Sequence, residues 1–207
     1  MTLEPTQAAK EPGDDLVVRA RTDRDAFGQL YDAHYPAIFR YCFRRLFVRA
    51  VAEDVTSDVF LGVALKMPRF AGTTEEDFRR WLFRIATNEV NAYVRQTKRR
   101  RALLEAAARS GALPAVAGSH AGQSDVESLD WPVLYRAILT LKPREQAILH
   151  LRFFEKMSHE QIAGVLQQRT ATVRVGLSRA LERLRRCFKS DAVGVAVELP
   201  PQRGTPT

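Results

Sequence analysis

Only two cysteines occur in the 207 residues, Cys42 and Cys187, far apart and each among apolar neighbours of a predicted helix. That usage reads as buried free thiols, with a single disulfide as the less favoured alternative. The four histidines, His34, His120, His150 and His159, show no ligand spacing with the cysteines or with one another. Neither a metal nor any other cofactor is therefore expected. No apolar run approaches the roughly 18 residues of a membrane span, and Met1-Thr2-Leu3-Glu4-Pro5 lacks the basic-then-apolar order of a secretory signal. The expectation is a cytoplasmic chain that inserts in no membrane. Strand-like alternation and internal repeats are missing as well, which leaves an all-α reading.

What the chain does have is positive charge. Thirty-two Lys and Arg against 24 Asp and Glu give a formal net charge of +8, and 45% hydrophobic residues are enough for real cores. Such a balance suits an anionic partner, either nucleic acid or an acidic membrane surface, and charge alone does not choose between them. The most informative stretch is Ser158 to Phe188. Ser158 with Gln161 three residues on is a capping box that starts a helix. Ile162, Ala163 and Leu166 share one face of it, Gln167, Gln168 and Arg169 interrupt the pattern, and Thr170 offers a second N-cap. The following helix buries Val173, Leu177, Ala180, Leu181, Leu184 and Phe188, while Arg174, Arg179, Arg183, Arg185, Arg186 and Lys189 are opposed by Glu182 alone. Two capped helices around a short turn are the sequence form of a helix-turn-helix, which sets its second helix in the major groove of DNA. A helical hairpin with a solvated basic face is the plainer alternative.

Along the chain, two helical blocks are predicted, separated by an Ala-, Gly- and Ser-rich stretch around Pro114. The organisation is two small helical domains on a flexible linker: a disordered N-terminus at 1–14, a domain at 15–101, the linker at 102–125, a helix-turn-helix domain at 126–189 and a disordered tail at 190–207. In the first domain, Phe27, Leu30, Tyr31, His34, Ile38, Phe39 and Cys42 form one face, with Asp23 or Thr22 as cap and Pro36 placed to kink or divide the helix. A second helix, about Val51 to Lys66, turns Val55, Val59, Phe60 and Val63 inward and shows Glu53, Asp54, Ser57 and Asp58 outside. Carboxylates near a helix start need no partner to be favourable, but an acidic face in so basic a chain also suits docking on a basic surface. After Pro68, the loop Arg69-Phe70-Ala71-Gly72-Thr73 leads into a third helix, with Thr73 and Glu76 as its capping box. Phe78, Trp81, Leu82, Ile85, Ala86, Val90 and Val94 form its core face, and it ends in Arg95, Lys98, Arg99, Arg100 and Arg101. Four consecutive cations repel one another, and a phosphate backbone relieves them economically.

Taken together, the blocks resemble the extracytoplasmic-function (ECF) sigma factors, two-domain initiation subunits of bacterial RNA polymerase. The likeness spans about 16–101 and 129–188. In the first block it rests on Ala26-Phe27-Gly28-Gln29-Leu30-Tyr31, Ala52 to Phe60, and Phe78 to Asn88 followed by Arg95. In the second it rests on Leu141 to Gln146, Leu151 to Glu155, Ser158 to Ala163, and Thr172-Val173 leading to Arg179-Ala180 and Leu184-Arg185. The resemblance implies a non-enzymatic sigma factor that binds core RNA polymerase and directs promoter-specific initiation, including DNA binding and strand opening, in the nucleoid-associated cytoplasm, with an anti-sigma factor as a further partner.

By the same resemblance, Asp54, Ser57, Asp58 and Phe60 dock on the polymerase. Arg69, Phe70, Asn88, Arg95, Lys98 and Arg99 serve the downstream (minus-10) element, where a base leaves the stack. Arg169, Thr170, Thr172, Arg174, Ser178 and Arg179 serve the upstream (minus-35) element in the duplex. Departures from the family pattern stand at Ser57, Ala64, Asn91, Gln167 and Gly176, the last where an arginine is usual and a DNA contact is therefore missing. The rival reading is a polymerase-independent helix-turn-helix regulator, which leaves the acidic helix and the Arg95 to Arg101 cluster without a role. A DNA-rearranging enzyme is disfavoured, since no carboxylate constellation suits metal-assisted phosphoryl transfer.

Overall fold

The computed structural model describes residues 12–109 and 137–194. The expected linker beyond 109, the start of the second domain up to 136, the first eleven residues and the tail past 194 lie outside them. Among the described residues every regular element is helical. In chain order these are α1 (Pro12–Arg19), α2 (Arg24–Leu46), α3 (Arg49–Lys66), a 3-10 turn (Met67–Arg69) and α4 (Glu75–Arg109). After the undescribed stretch come α5 (Pro143–Leu149), extended by a wider turn (His150–Phe154), then α6 (His159–Leu166) and α7 (Thr170–Gly194).

Local chemistry sets most of the boundaries. Asp23 caps α2 by accepting from the amides of Asp25 and Ala26, and the helix runs unbroken through Pro36 to the left-handed Phe47. The expectation that Pro36 divides it therefore fails; apolar packing on either side of the proline outweighs one lost backbone bond. The capping box expected at the start of α4 is displaced by one residue, since Thr74 Oγ1, not Thr73, accepts the amide of Asp77 at 3.1 Å. Helix α4 also continues past 101 to Arg109. In the second unit both halves of the Ser158–Gln161 box are made, at 3.2 Å and 2.7 Å. Thr170 proves to be the first residue of α7 rather than its cap, because the amides of Thr172 and Val173 bond to the carbonyl of Arg169.

Helices α2, α3 and α4 pack around Leu30, Ile38, Tyr41, Val59, Val63, Phe78, Leu82 and Phe83, and this cluster continues into the second unit through Ile148, Leu151, Met157, Ile162, Val165 and Val173. Polar groups sew the same seam. The Glu155 carboxylate, with only 9% of its side chain exposed, sits 3.7 Å from Arg44 and 3.6 Å from Arg79. Arg79 also donates to the Glu155 carbonyl at 2.7 Å. Arg45 is buried, and its partners among the described residues are neutral: it donates to the Tyr41 hydroxyl, to Asn91 Oδ1 and, across the seam, to the Pro143 carbonyl. Gly164 of α6 lies so close to α4 that a Cβ there would stand 3.0 Å from Arg80 Cδ.

Candidate polymerase and nucleic-acid interfaces

Three surfaces carry the residues singled out above. The first is the outer face of α3. Asp54, Ser57 and Asp58 are all exposed, with the Ser57 hydroxyl donating to the Glu53 carbonyl at 3.0 Å. Phe60 is not on that surface. It is 5% exposed and packs on the rings of Tyr31 and Tyr35, so it supports the face from beneath. Leu61 and Leu65, at 60% and 75% exposure, stand in its place. They follow Asp54 and Asp58 at helical spacing, a signal the sequence contained and that an inward-or-outward division of α3 overlooked.

The second surface is a pocket between the end of α3, the loop and α4. Lined by Leu65, Lys66, Arg69, Phe70, Ala71, Gly72, Trp81 and Arg84, it encloses about 370 Å³. Phe70 stacks on Trp81 with ring centres 4.5 Å apart and meets Phe78 edge-on. Trp81 is thus half-buried and presents an aromatic face beside three cations, rather than being wholly a core residue. Gly72 makes the turn possible: a Cβ there would lie 2.4 Å from Phe70 Cζ and 2.6 Å from Asp77 Cβ, and its carbonyl accepts from Arg21 at 2.6 Å. Trp81, Arg84, Asn88, Arg95 and Arg99 fall on one stripe of α4 by helical spacing. Asn88, Arg95, Lys98 and Arg99 are exposed, so pocket and cationic track are continuous. Of the pocket, the resemblance pointed to the loop from Arg69 to Gly72 and to the helix that carries Trp81 and Arg84, with Arg69 and Phe70 singled out; Lys66 comes from tertiary placement.

The third surface is α7. Arg169, Thr172, Arg174, Ser178 and Arg179 are exposed and Thr170 is half-buried. Among the described residues Arg174 has a weak surface partner, Glu160 at 3.6 Å, which a phosphate readily replaces. The turn before α7 is made by Gln167 in the left-handed region, φ 51 and ψ 53. Gly176 faces inward: a Cβ on it would lie 2.7 Å from Ile148 Cδ1. The Cα–Cβ direction at this position therefore points toward α5, and glycine leaves room there for the Ile148 side chain. Glu145 holds the base of α7 by accepting from Arg183 at 2.7 Å.

The remaining titratable groups are structural. Burial pushes the Cys42 thiol up to about 11 and drives the His150 imidazole down to about 3, helped by Arg45 and Arg44. Burial raises the Glu155 carboxyl, opposed by Arg79 and Arg44. Cys187 is half-buried rather than buried, with Thr140 beside it. Among the described residues no cluster of three or more His, Cys, Asp or Glu is set to hold a metal ion, and no helix is long and apolar enough to cross a membrane.

An acidic helix, an aromatic pocket opening on a cationic track, and a helix-turn-helix define a sigma-70-type transcription initiation subunit. The sigma-70 region 2 model matches residues 30–100 and the region 4 model residues 133–184. The chain is 31% identical over 179 residues to the ECF sigma factor BldN of Streptomyces coelicolor, covering 86% of this chain and 66% of that protein. It is 30% identical to the sigma factor YlaC of Bacillus subtilis, covering 76% and 88%. In fold it is similar to CnrH, solved with the cytosolic domain of CnrY, at a TM-score of 0.63 and 22% identity over 87% of this chain and 99% of that one. It is likewise similar to the sigma factor RpoE of Bartonella quintana, solved with the anti-sigma factor NepR, at 0.58 and 23% over 80% and 98%. The chain belongs to the ECF sigma factors, and it directs promoter-specific transcription initiation through domains that bind core RNA polymerase and promoter DNA. Sigma factors as a class are non-enzymatic initiation subunits.

Proposed function

We propose that the three surfaces divide this work. Asp54, Ser57 and Asp58, with Leu61 and Leu65 and with Phe60 as their support, dock on a basic, partly apolar surface of core polymerase. The pocket lined by Phe70 and Trp81 receives a base of the opened downstream element. Stacking on an aromatic face contributes about 1–3 kcal/mol per base, which offsets the few kcal/mol needed to take it from the duplex. Arg69, Asn88, Arg95, Lys98 and Arg99 hold the phosphates on either side. Helix α7 lies in the major groove of the upstream element, with Arg169, Thr170, Thr172, Arg174, Ser178 and Arg179 on bases and backbone. The observation that carries this reading is the single stripe of α4 on which an aromatic pocket runs into a row of cations, an arrangement a duplex-only regulator does not use.

The domain limits are about 15–101 and 126–189, joined by the segment 102–125, of which the first residues extend α4. The chain breaks no bond itself and works in the cytoplasm at the nucleoid. An anti-sigma factor holds it inactive, as the solved complexes of CnrH and RpoE suggest by analogy. Multi-round transcription with purified core enzyme, with and without the chain, on a promoter library tests the proposal; absence of chain-dependent RNA overturns it. Footprinting of the isolated chain tests the rival: tight palindromic protection without polymerase supports an independent regulator.

A further inference from the structure

With about 3.6 residues per turn, Ala171, Val175 and Ser178 fall on one stripe of α7, at the centre of its exposed side. Arg174 and Arg179 lie exposed on the two flanks, while Val173 and Ala180 are fully buried on the opposite side. The middle of this stripe is therefore small and uncharged, apolar at Ala171 and Val175, and the cations sit at its edges. Val175 is 49% exposed in a helix whose other exposed positions are almost all charged, hydroxylated or alanine. Its neighbour Gly176 has no side chain and lies on the side of α7 next to Ile148. In the major groove the one apolar group that bases offer is the 5-methyl of thymine.

We infer that Val175 is a specificity-determining residue that reads the 5-methyl group of a thymine in the upstream element, with Ala171 lining the same apolar strip. Arg174 and Arg179 reach phosphates or guanine at the edges and orient the helix without supplying this preference. The inference rests on α7 being the groove-reading helix, as proposed above.

The test uses the full chain with core polymerase. Upstream elements are first selected from a randomised duplex library, and each thymine of the selected element is then replaced singly by uracil, which lacks only the methyl. At one position the wild-type holoenzyme should lose about fourfold in affinity, the factor that burying one methyl-sized group contributes. A Val175→Ala holoenzyme should bind thymine and uracil there equally, whereas Arg174→Ala should weaken binding to both while keeping their ratio. Equal wild-type binding of thymine and uracil at every position, on an element whose scrambling does abolish binding, overturns the role of Val175 alone. So does an undiminished thymine preference in Val175→Ala. Scrambling without effect overturns the groove-reading assignment of α7 as well.

Discussion

At the scale of single residues, two side chains sit where chemistry penalises them. Gln167 adopts φ 51 at the turn of the helix-turn-helix, a conformation that costs a residue with a Cβ roughly 1–2 kcal/mol. Gln167→Gly should stabilise the second unit by about 1 kcal/mol after allowing for the greater freedom of unfolded glycine, measured as a higher denaturant midpoint with unchanged slope. His150 is held neutral by burial, its pKa lowered from 6.5 to about 3, and burial also lowers that of His34. The unfolded chain takes up these protons first as pH falls through 6.5, so stability is complete above that pH and declines below it. For His150 the slope is about 1.4 kcal/mol per pH unit. Unfolding at pH 6.5 and at about pH 5 should show that loss, and His150→Gln should flatten it; parallel curves would mean the imidazole is solvated.

Helices and loops were unequally legible from sequence. Periodicity gave all the long helices and most of their buried faces, because burial of one stripe is a local property of the chain. Caps were harder to place, and two moved by one residue, at Thr74 and Arg169, since adjacent hydroxyls and carbonyls compete for the same amides. The stacking of Phe70 on Trp81 was out of reach, because the loop and the helix meet only through the turn at Gly72. That dependence is testable: Gly72→Ala should displace Phe70, abolish capture of a single-stranded downstream-element oligonucleotide by the holoenzyme, and leave duplex binding through α7 unchanged. For α3, Asp58→Lys should reduce co-migration with core polymerase while the melting temperature stays within about 1 °C of wild type, since the side chain is exposed and such surface changes are worth little to folding.

Over the whole molecule, the seam between the units joins residues far apart in the sequence, Arg79 and Glu155 among them, and nothing in local pattern announces it. Among the described residues Glu155 is the carboxylate that faces Arg44 and Arg79 together. Glu155→Ala leaves those two cations opposed and should weaken the seam by about 1–2 kcal/mol, less than a fully buried pair because both guanidiniums keep some contact with water. A longer distance between fluorophores placed on the two units should report the opening. The approach of Gly176 to Ile148 has a different reach. Because the δ-methyl of Ile148 occupies the space that a Cβ at 176 would take, a descendant of this protein that gained a side chain there would have to turn that isoleucine into another rotamer. Changes at the outward positions Ala171, Val175 and Ser178 need no such adjustment, so divergence among close relatives should accumulate at those three sites before it touches the fourth.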